Sequence, residues 1–283
     1  MPHGIAMILT NNNKRLGVIA GALLAAACAT YSTRQATSQA LDRILAGEQR
    51  AEENRARDRY RHPKQTLLFF GIRPEMSVLE VWPEPGWYTE VLAPLLADKG
   101  HYYAGVIAPD PKSQYITRRL DDYRQKLAAR PEFYGKVTLV TFPLDGADVV
   151  APGTLDMVVT FRNIHNWMAR DEASHAFATM YRALKPGGVL GVSEHRGNSA
   201  VPQDPHAKSG YVNEEYAIKL IEAQGFRLEA SSQVNANPKD SKDYEQGVWT
   251  LPPTYRLGDK DRDKYAAIGE SDRFTLKFVK PAK

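Results

Sequence analysis

The sequence predicts an α/β fold, a mostly parallel sheet covered by helices on both faces. Three observations carry this. The chain has 283 residues, 43% hydrophobic and 25% charged, enough for one globular domain with a full core. From Met76 onward, short apolar runs alternate with longer amphipathic runs. Apolar strands alternating with helices imply strands buried on both sides, which is the habit of parallel sheets with helical crossovers. No internal repeat or low-complexity tract breaks the pattern.

The first residues stand outside this fold. "NNNKRLGVIAGALLAAACAT" has a basic step at Lys14 and Arg15, an apolar run from Leu16 to Ala27, then small residues. That is the three-part pattern of a secretory signal, with a core short for a membrane span. We expect a signal peptide over residues 1–29 and export to a bacterial periplasm. Ala27-Cys28-Ala29 offers a cleavage site before Thr30. Alternatively, Cys28 ends a lipoprotein-type signal and carries a lipid anchor. Cys28 is the only cysteine, so the mature domain has no disulfide and no thiol nucleophile.

Residues 30–61 read as an N-terminal helical extension. Leu41, Ile44 and Leu45 share one face before the segment becomes strongly charged, so a surface helix leading into the domain over 62–283 is expected. Thr66 begins a short apolar helix that Gly71 and Pro74 end. "SVLEVW" is the first strand, followed by a helix from Gly86 to about Ala97. "HYYAGVIA" is the second strand, and "SQYITRRLDDYRQKLAAR" a helix ended by Pro131. "KVTLVTF" and "LDMVVTF" are strands three and four. Asp171 is expected to cap a helix whose core face is Ala173, Phe177, Met180, Tyr181 and Leu184. "KPGG" stops it, and "VLGVSEH" is strand five. A helix from Asn213 to Gln224, the segment "FRLEASSQV", a polar stretch and a final strand "RFTLKFV" complete the chain.

Ligands of such sheets sit outside the carboxyl ends of the strands. Those ends carry Glu80 to Gly86, Asp145, Arg162 to Trp167, and Glu194 to Arg196. For any one of them, capping a helix or pairing a charge is the plain alternative to holding a ligand.

The order of segments resembles the class I S-adenosylmethionine-dependent methyltransferases. The likeness is clearest in "LDMVVTFRNIHNWMARDEASHAFATMYRALKPGGVLGVSEH", which resembles the strand four, helix, "LKPGG", strand five block of menaquinone and ubiquinone methyltransferases. "SVLEVWPEPGWYTEVLAP" resembles the family's first motif. More narrowly, "RHP", "WPEPGWYTE", "HR" and "SDRFTLKF" resemble, in this order, a group of exported bacterial predicted methyltransferases. The resemblance covers about Arg57 to the end. It implies a three-layer Rossmann-like methyltransferase fold with an antiparallel last strand, S-adenosylmethionine as cofactor and a small-molecule acceptor. Residue by residue, Glu80 matches the acid of the first strand, Gly86 the third glycine of its turn, and Asp145 the acid that accepts from the adenine amine. Trp82 and Glu84 stand where the first two glycines would be, and crowd or repel the cofactor unless the turn is reshaped. Val106 stands where an acid usually holds the ribose hydroxyls, with Asp110 a few residues late. Trp87 and Asn163 complete the expected cofactor set.

Methyl transfer needs an in-line geometry and, for a hydroxyl or acidic carbon, a base. His165 is the first candidate and His195 the second. Trp82, Trp87, Tyr88 and Trp167 either line an aromatic pocket for a sulfonium or belong to the core. There is no G-x-S-x-G elbow, P-loop or G-x-G-x-x-G. The seven histidines lack H-x-x-x-H or H-E-x-x-H spacing, so no metal is expected. A net charge of +4 without a dense basic, aromatic-laced run argues against a nucleic-acid partner. The sequence leaves open the oligomeric state. It also leaves open a second class of function, an exported protein of this fold that has lost ordinary cofactor binding.

Overall fold

A computed structural model describes residues 32–282 of the chain. The expected signal peptide, its cleavage site and Cys28 lie outside the described residues. Among the described residues, no helix is long and apolar enough to cross a membrane.

One seven-stranded sheet organises these residues, in the order β3-β2-β1-β4-β5-β7-β6. The strands are β1 Ser77–Val81, β2 His101–Val106, β3 Thr138–Thr141, β4 Leu155–Phe161, β5 Leu184–His195, β6 Arg227–Ser232 and β7 Arg273–Val279. The first five run parallel, and β7 lies antiparallel between β5 and β6. This is the predicted sheet with its antiparallel last strand. The order reverses between β1 and β4, so their carboxyl ends open the crevice where this architecture places ligands.

Helices cover both faces. In chain order they are α1 (32–45), α2 (Glu52–Arg55), α3 (Asp58–Arg61), α4 (Pro63–Phe70), α5 (Thr89–Leu96), α6 (Gln114–Ala129), α7 (Pro131–Tyr134), α8 (Ile164–Met168), α9 (Ala173–Ala183), α10 (Glu214–Glu222) and α11 (Arg262–Ile268). The strands divide their side chains by the period of two. Leu79, Val81 and Val158 join a core with α8, α9 and α10, while Val78, Met157 and Val159 join one with α4, α5 and α6.

Three local expectations are corrected. The helix expected after Asp171 is α9, which starts at Ala173, but Asp171 does not cap it. Asp171 adopts a positive φ and Glu172 takes the N-cap position without a side-chain cap. Leu184 and "KPGG" belong to β5, because Leu184 pairs with Leu155 across a register shift. The N-terminal segment is a surface helix only over α1, which sets Leu41, Ile44 and Leu45 on the core; the charged run after it turns inward. Leu41 is fully buried in the α5 core, and Arg50 is fully buried against α5. Arg50 reaches Glu90 Oε2 at 3.1 Å and Asp58 Oδ1 at 2.7 Å, while Asn54 and Lys126 hold Glu90 Oε1. The charged run turns inward because α5 presents a buried carboxylate that needs these donors.

Gly191 in β5 is where α4 meets the sheet. A Cβ there would lie 2.5 Å from the Phe70 ring, itself fully buried. Gly191→Ala should therefore overpack the core and cost roughly 1–3 kcal/mol, read as a lowered denaturation midpoint with an unchanged slope. A variant as stable as the natural protein would show that α4 packs elsewhere.

Candidate functional site

At the carboxyl ends of β1, β4 and β5 lies a cavity of about 300 Å³. Its floor is built from the strand ends. Its roof comes from the segment between β6 and β7, through Trp249, Pro252 and Pro253. Its far wall comes from the N-terminal extension, through Arg57 and Arg61. Two residues at its rim, Trp82 after β1 and Arg162 after β4, adopt positive φ values of 52° and 61°. Bulky side chains in this region carry strain that persists only where the surroundings impose it, and such residues cluster at functional sites.

His165, at the start of α8, is held by Glu194 at the end of β5. Glu194 Oε1 accepts from His165 Nδ1 at 3.1 Å and from the backbone N–H of His195 at 2.8 Å. Oε2 accepts from the backbone N–H of Ile164 at 2.6 Å. With Nδ1–H committed to a carboxylate, the opposite ring nitrogen, Nε2, carries the lone pair. The two histidine rings lie 5.4 Å apart. His195 Nδ1 contacts Ser271 Oγ at 2.5 Å. Burial pushes its pKa well below the usual histidine value, helped by the charges of His165, Arg162, Arg273 and Arg61.

His165, Glu194 and His195 also place ligand atoms within 4.8 Å of one another, a grouping that sequence spacing did not reveal. Glu194 is already surrounded by N–H donors, and three arginines act on His195. Glu194 and His165 thus form a hydrogen-bonded dyad beside a second imidazole.

The structure brings together Glu80, Trp82, Glu84, Trp87, Asn163, His165 and His195 along the cavity. It leaves out two residues expected beside them. Asp145 lies in an exposed turn, where its Oδ1 accepts from the Ala147 N–H. Gly86, at φ 91°, faces α6, where a Cβ would meet Tyr123 at 3.0 Å and Lys126 at 3.2 Å. Its freedom serves helix packing and not the cavity. Asn163 Nδ2 bridges Val81 O and Thr160 Oγ1, tying the β1 and β4 ends together.

The turn after β1 is reshaped around its bulky residues. Trp82 packs edge-on against Trp167 at 5.6 Å. The carboxylate of Glu84 reaches across to the end of β2. Its Oε1 accepts from the Ile107 N–H at 3.1 Å, and its Oε2 is buried with no partner among the described residues. The two alternatives for the aromatic residues, pocket or core, divide among them. Trp167 is fully buried core, and the Trp87 ring is already held by two guanidiniums, Arg50 at 4.9 Å and Arg61 at 4.7 Å.

Sequence reasoning placed Arg162 at a strand end but passed over the rest of the basic side of the cavity, Arg57, Arg61 and Arg273, with Glu270 among them. The signal lay in "RHP" and "SDRF", two segments far apart in sequence.

No family model matches the chain. Two ribosomal RNA large subunit methyltransferase E proteins, from two strains of Acidithiobacillus ferrooxidans, are each 30% identical over 130 residues. The match spans 46% of this chain and 56% of theirs, so it takes in only about half the length of these curated relatives. Among solved structures, an S-adenosylmethionine-dependent methyltransferase from Aquifex aeolicus aligns over 80% of this chain and 93% of its own, with TM-score 0.54 and 16% identity. The [4+2]-cyclase SpnF aligns over 79% and 81%, with TM-score 0.55 and 17% identity. The glycopeptide N-methyltransferase MtfA aligns over 78% and 96%, with TM-score 0.50 and 15% identity. The chain thus has the class I methyltransferase fold. A cyclase among its structural neighbours illustrates that this fold alone does not fix the reaction.

Glu80 receives the Tyr102 hydroxyl at 2.6 Å. Burial raises its pKa to about 8, reinforced by the Glu84 charge and opposed by Tyr102, Arg162 and Arg61. The folded protein therefore keeps this proton up to about pH 8, whereas the unfolded chain releases it near 4.5. Its contribution to stability falls as pH rises across that window and is flat above it. Denaturant titrations at pH 5 and pH 8 should show the natural protein losing more stability than Glu80→Gln. Equal losses would mean that Glu80 is ionised in the fold.

Proposed function

We propose that this protein transfers a methyl group from S-adenosylmethionine to a small-molecule acceptor, with His165 as the base. The observation that carries the proposal is the Glu194–His165 dyad, set at the wall of a cavity at the strand ends of this fold.

The residues present fit the cofactor at one informative point. Val106, at the end of β2, brings no carboxylate, and Asp110 accepts from the Lys112 N–H of its own turn. Glu84 supplies the missing group from the β1 turn, with one oxygen fixed on Ile107 N–H and the other buried and unmatched. A buried unpaired carboxylate oxygen is costly, and a pair of ligand hydroxyls would satisfy it. Glu84 would hold the ribose, and Glu80 would face the amino-acid part.

When bound, S-adenosylmethionine supplies an electrophilic methyl on a sulfonium leaving group. The chain's own residues do the rest. His165 Nε2 takes the proton of the acceptor's nucleophilic atom as that atom bonds to the methyl. Glu194 holds Nδ1–H and offsets the positive charge that the ring gains. His195, kept neutral by burial, can bind the acceptor without adding charge. A cavity of about 300 Å³ roofed by residues 248–254 is at the size of small-ligand sites, which supports a small acceptor over the RNA named for the curated relatives.

A second reading keeps the fold without ordinary cofactor binding, as a ligand-binding protein or a different enzyme. One observation favours it: the cavity wall is rich in arginine, a poor neighbour for a sulfonium. We also carry forward export to the periplasm, supported by the Lys14–Arg15 step and the apolar run from Leu16 to Ala27.

Calorimetric titration with S-adenosylmethionine and S-adenosylhomocysteine should give saturable binding. Glu84→Ala should weaken it at least tenfold, since a hydrogen bond to a charged group is worth ~1.5–3 kcal/mol. His165→Gln should leave it intact. Absence of binding to both ligands would replace the first reading by the second. For export, fractionation of cells making the full chain should recover a shortened protein outside the cytoplasm. Recovery with Met1 intact in the cytosol would overturn it, and Cys28→Ser separates a lipid-anchored form from a soluble one.

A further inference from the structure

The arginine side of the cavity is more charged than the fold requires. Arg57, Arg61 and Arg273 converge on a single carboxylate. Glu270 Oε1 accepts from Arg57 Nε at 2.5 Å, and Oε2 from Arg61 Nε at 3.3 Å and from Arg273 Nη2. Arg61, Arg273 and Glu270 are each no more than 4% exposed. The carboxylate is outnumbered, and the surplus shows in the hydrogen bonds. Nη2 of Arg57, Nη2 of Arg61 and Nε of Arg273 are buried with no partner among the described residues.

Arg162 adds a fourth guanidinium to the same cavity. Its backbone is strained at φ 61°. Among the described residues, its side chain makes no hydrogen bond and no ion pair. Burial and the neighbouring Arg273 charge pull its pKa down to about 10, so it remains cationic at neutral pH. Two other groups of the cavity add no negative charge here. Glu80 is held protonated up to about pH 8, and His195 is neutral. Four guanidiniums face the carboxylate of Glu270 at this wall, with Glu84 and Glu194 the other carboxylates of the site.

A buried, unbalanced cluster of this kind destabilises a fold, by repulsion and by unsatisfied N–H donors. Such costs persist at binding sites because the ligand removes them. Several forked guanidiniums with spare N–H groups suit an oxyanion that accepts from many directions. A phosphate monoester has the charge and the number of oxygens to meet them, and a single carboxylate has neither.

We propose that Arg61, Arg162 and Arg273, with Arg57 behind them, form a phosphate-binding subsite. The ligand of this cavity is therefore a small phosphorylated molecule, whose phosphate lies against this wall while its other end reaches His165. As a statement about the methyl acceptor this rests on the function proposed above; as a statement about binding it stands alone.

The experiment measures binding and melting temperature with inorganic phosphate, phenyl phosphate and acetate. S-adenosylhomocysteine is titrated in parallel. Both phosphates should bind saturably, raise the melting temperature and bind at least tenfold more tightly than acetate. Tighter binding of phenyl phosphate points to an organic phosphate as the natural ligand, and preference for inorganic phosphate to the free ion. Arg162→Gln removes a charge that holds no partner, so the variant should fold and melt higher than the natural protein without ligand. It should lose phosphate affinity at least tenfold and keep its affinity for S-adenosylhomocysteine. Arg162→Lys should retain part of the phosphate affinity.

Three results would overturn the proposal. One is the absence of saturable phosphate binding. Another is an Arg162→Gln variant with unchanged phosphate affinity. The third is competition between phosphate and S-adenosylhomocysteine with Arg162→Gln weakening both, which would assign the arginines to the cofactor's carboxylate. If S-adenosylhomocysteine does not bind while phosphate does, the cofactor reading fails and the phosphate subsite stands.

Discussion

Glu270 is the constraint on which the site depends. One buried carboxylate holds Arg57 and Arg61 from the N-terminal extension and Arg273 from the start of β7. Its pKa is driven far below the usual carboxylate range by those arginines, against the opposing effect of burial. Without it, three guanidiniums from remote parts of the chain would repel one another in a place where water cannot screen them. The ionic tie therefore does for the cavity wall what apolar contact does for the sheet. It sets the position of the extension as well as the charge of the pocket.

The sheet was legible because its strands are apolar and its crossovers amphipathic. β4 and β7 were located to the residue, and β1 nearly so, since strands buried on both faces read as short continuous apolar runs. The ends of elements were less legible. The "KPGG" run reads as a stop, yet Leu184 pairs with Leu155 and the strand begins there. Nothing local in the sequence distinguishes a glycine that ends a helix from one that sits in a bulged strand.

Site residues divide along a similar line. His165, His195, Asn163, Glu80 and Glu84 follow from the strand-end rule, and the structure places them together. Of the arginines only Arg162 follows from that rule; Arg57, Arg61 and Arg273 do not, because charged residues on a short polar segment are ordinarily solvated, and the carboxylate that holds Arg57 lies 213 residues away. Motif position also misled where a loop was rebuilt. Gly86 keeps its place and its positive φ, but its space is used by Tyr123 and Lys126 of α6. Glu84 stands in a glycine position and delivers its carboxylate to the neighbouring strand. An acid missing from one strand end was present in the sequence all along, one loop earlier.

The wall of the cavity has a consequence for how the chain matures. Its arginines come from residues 57–61 and from residue 273, close to the two ends of the described chain. A sheet of the first five strands can pair locally while the rest is still being made, but β7 must insert between β5 and β6 before Arg273 meets Glu270 and the N-terminal extension. Closing so long a loop is entropically slow. The arginine wall is therefore complete only when both of these segments are in place. A chain lacking either segment has no such wall, so capture of a ligand there would report on the finished fold.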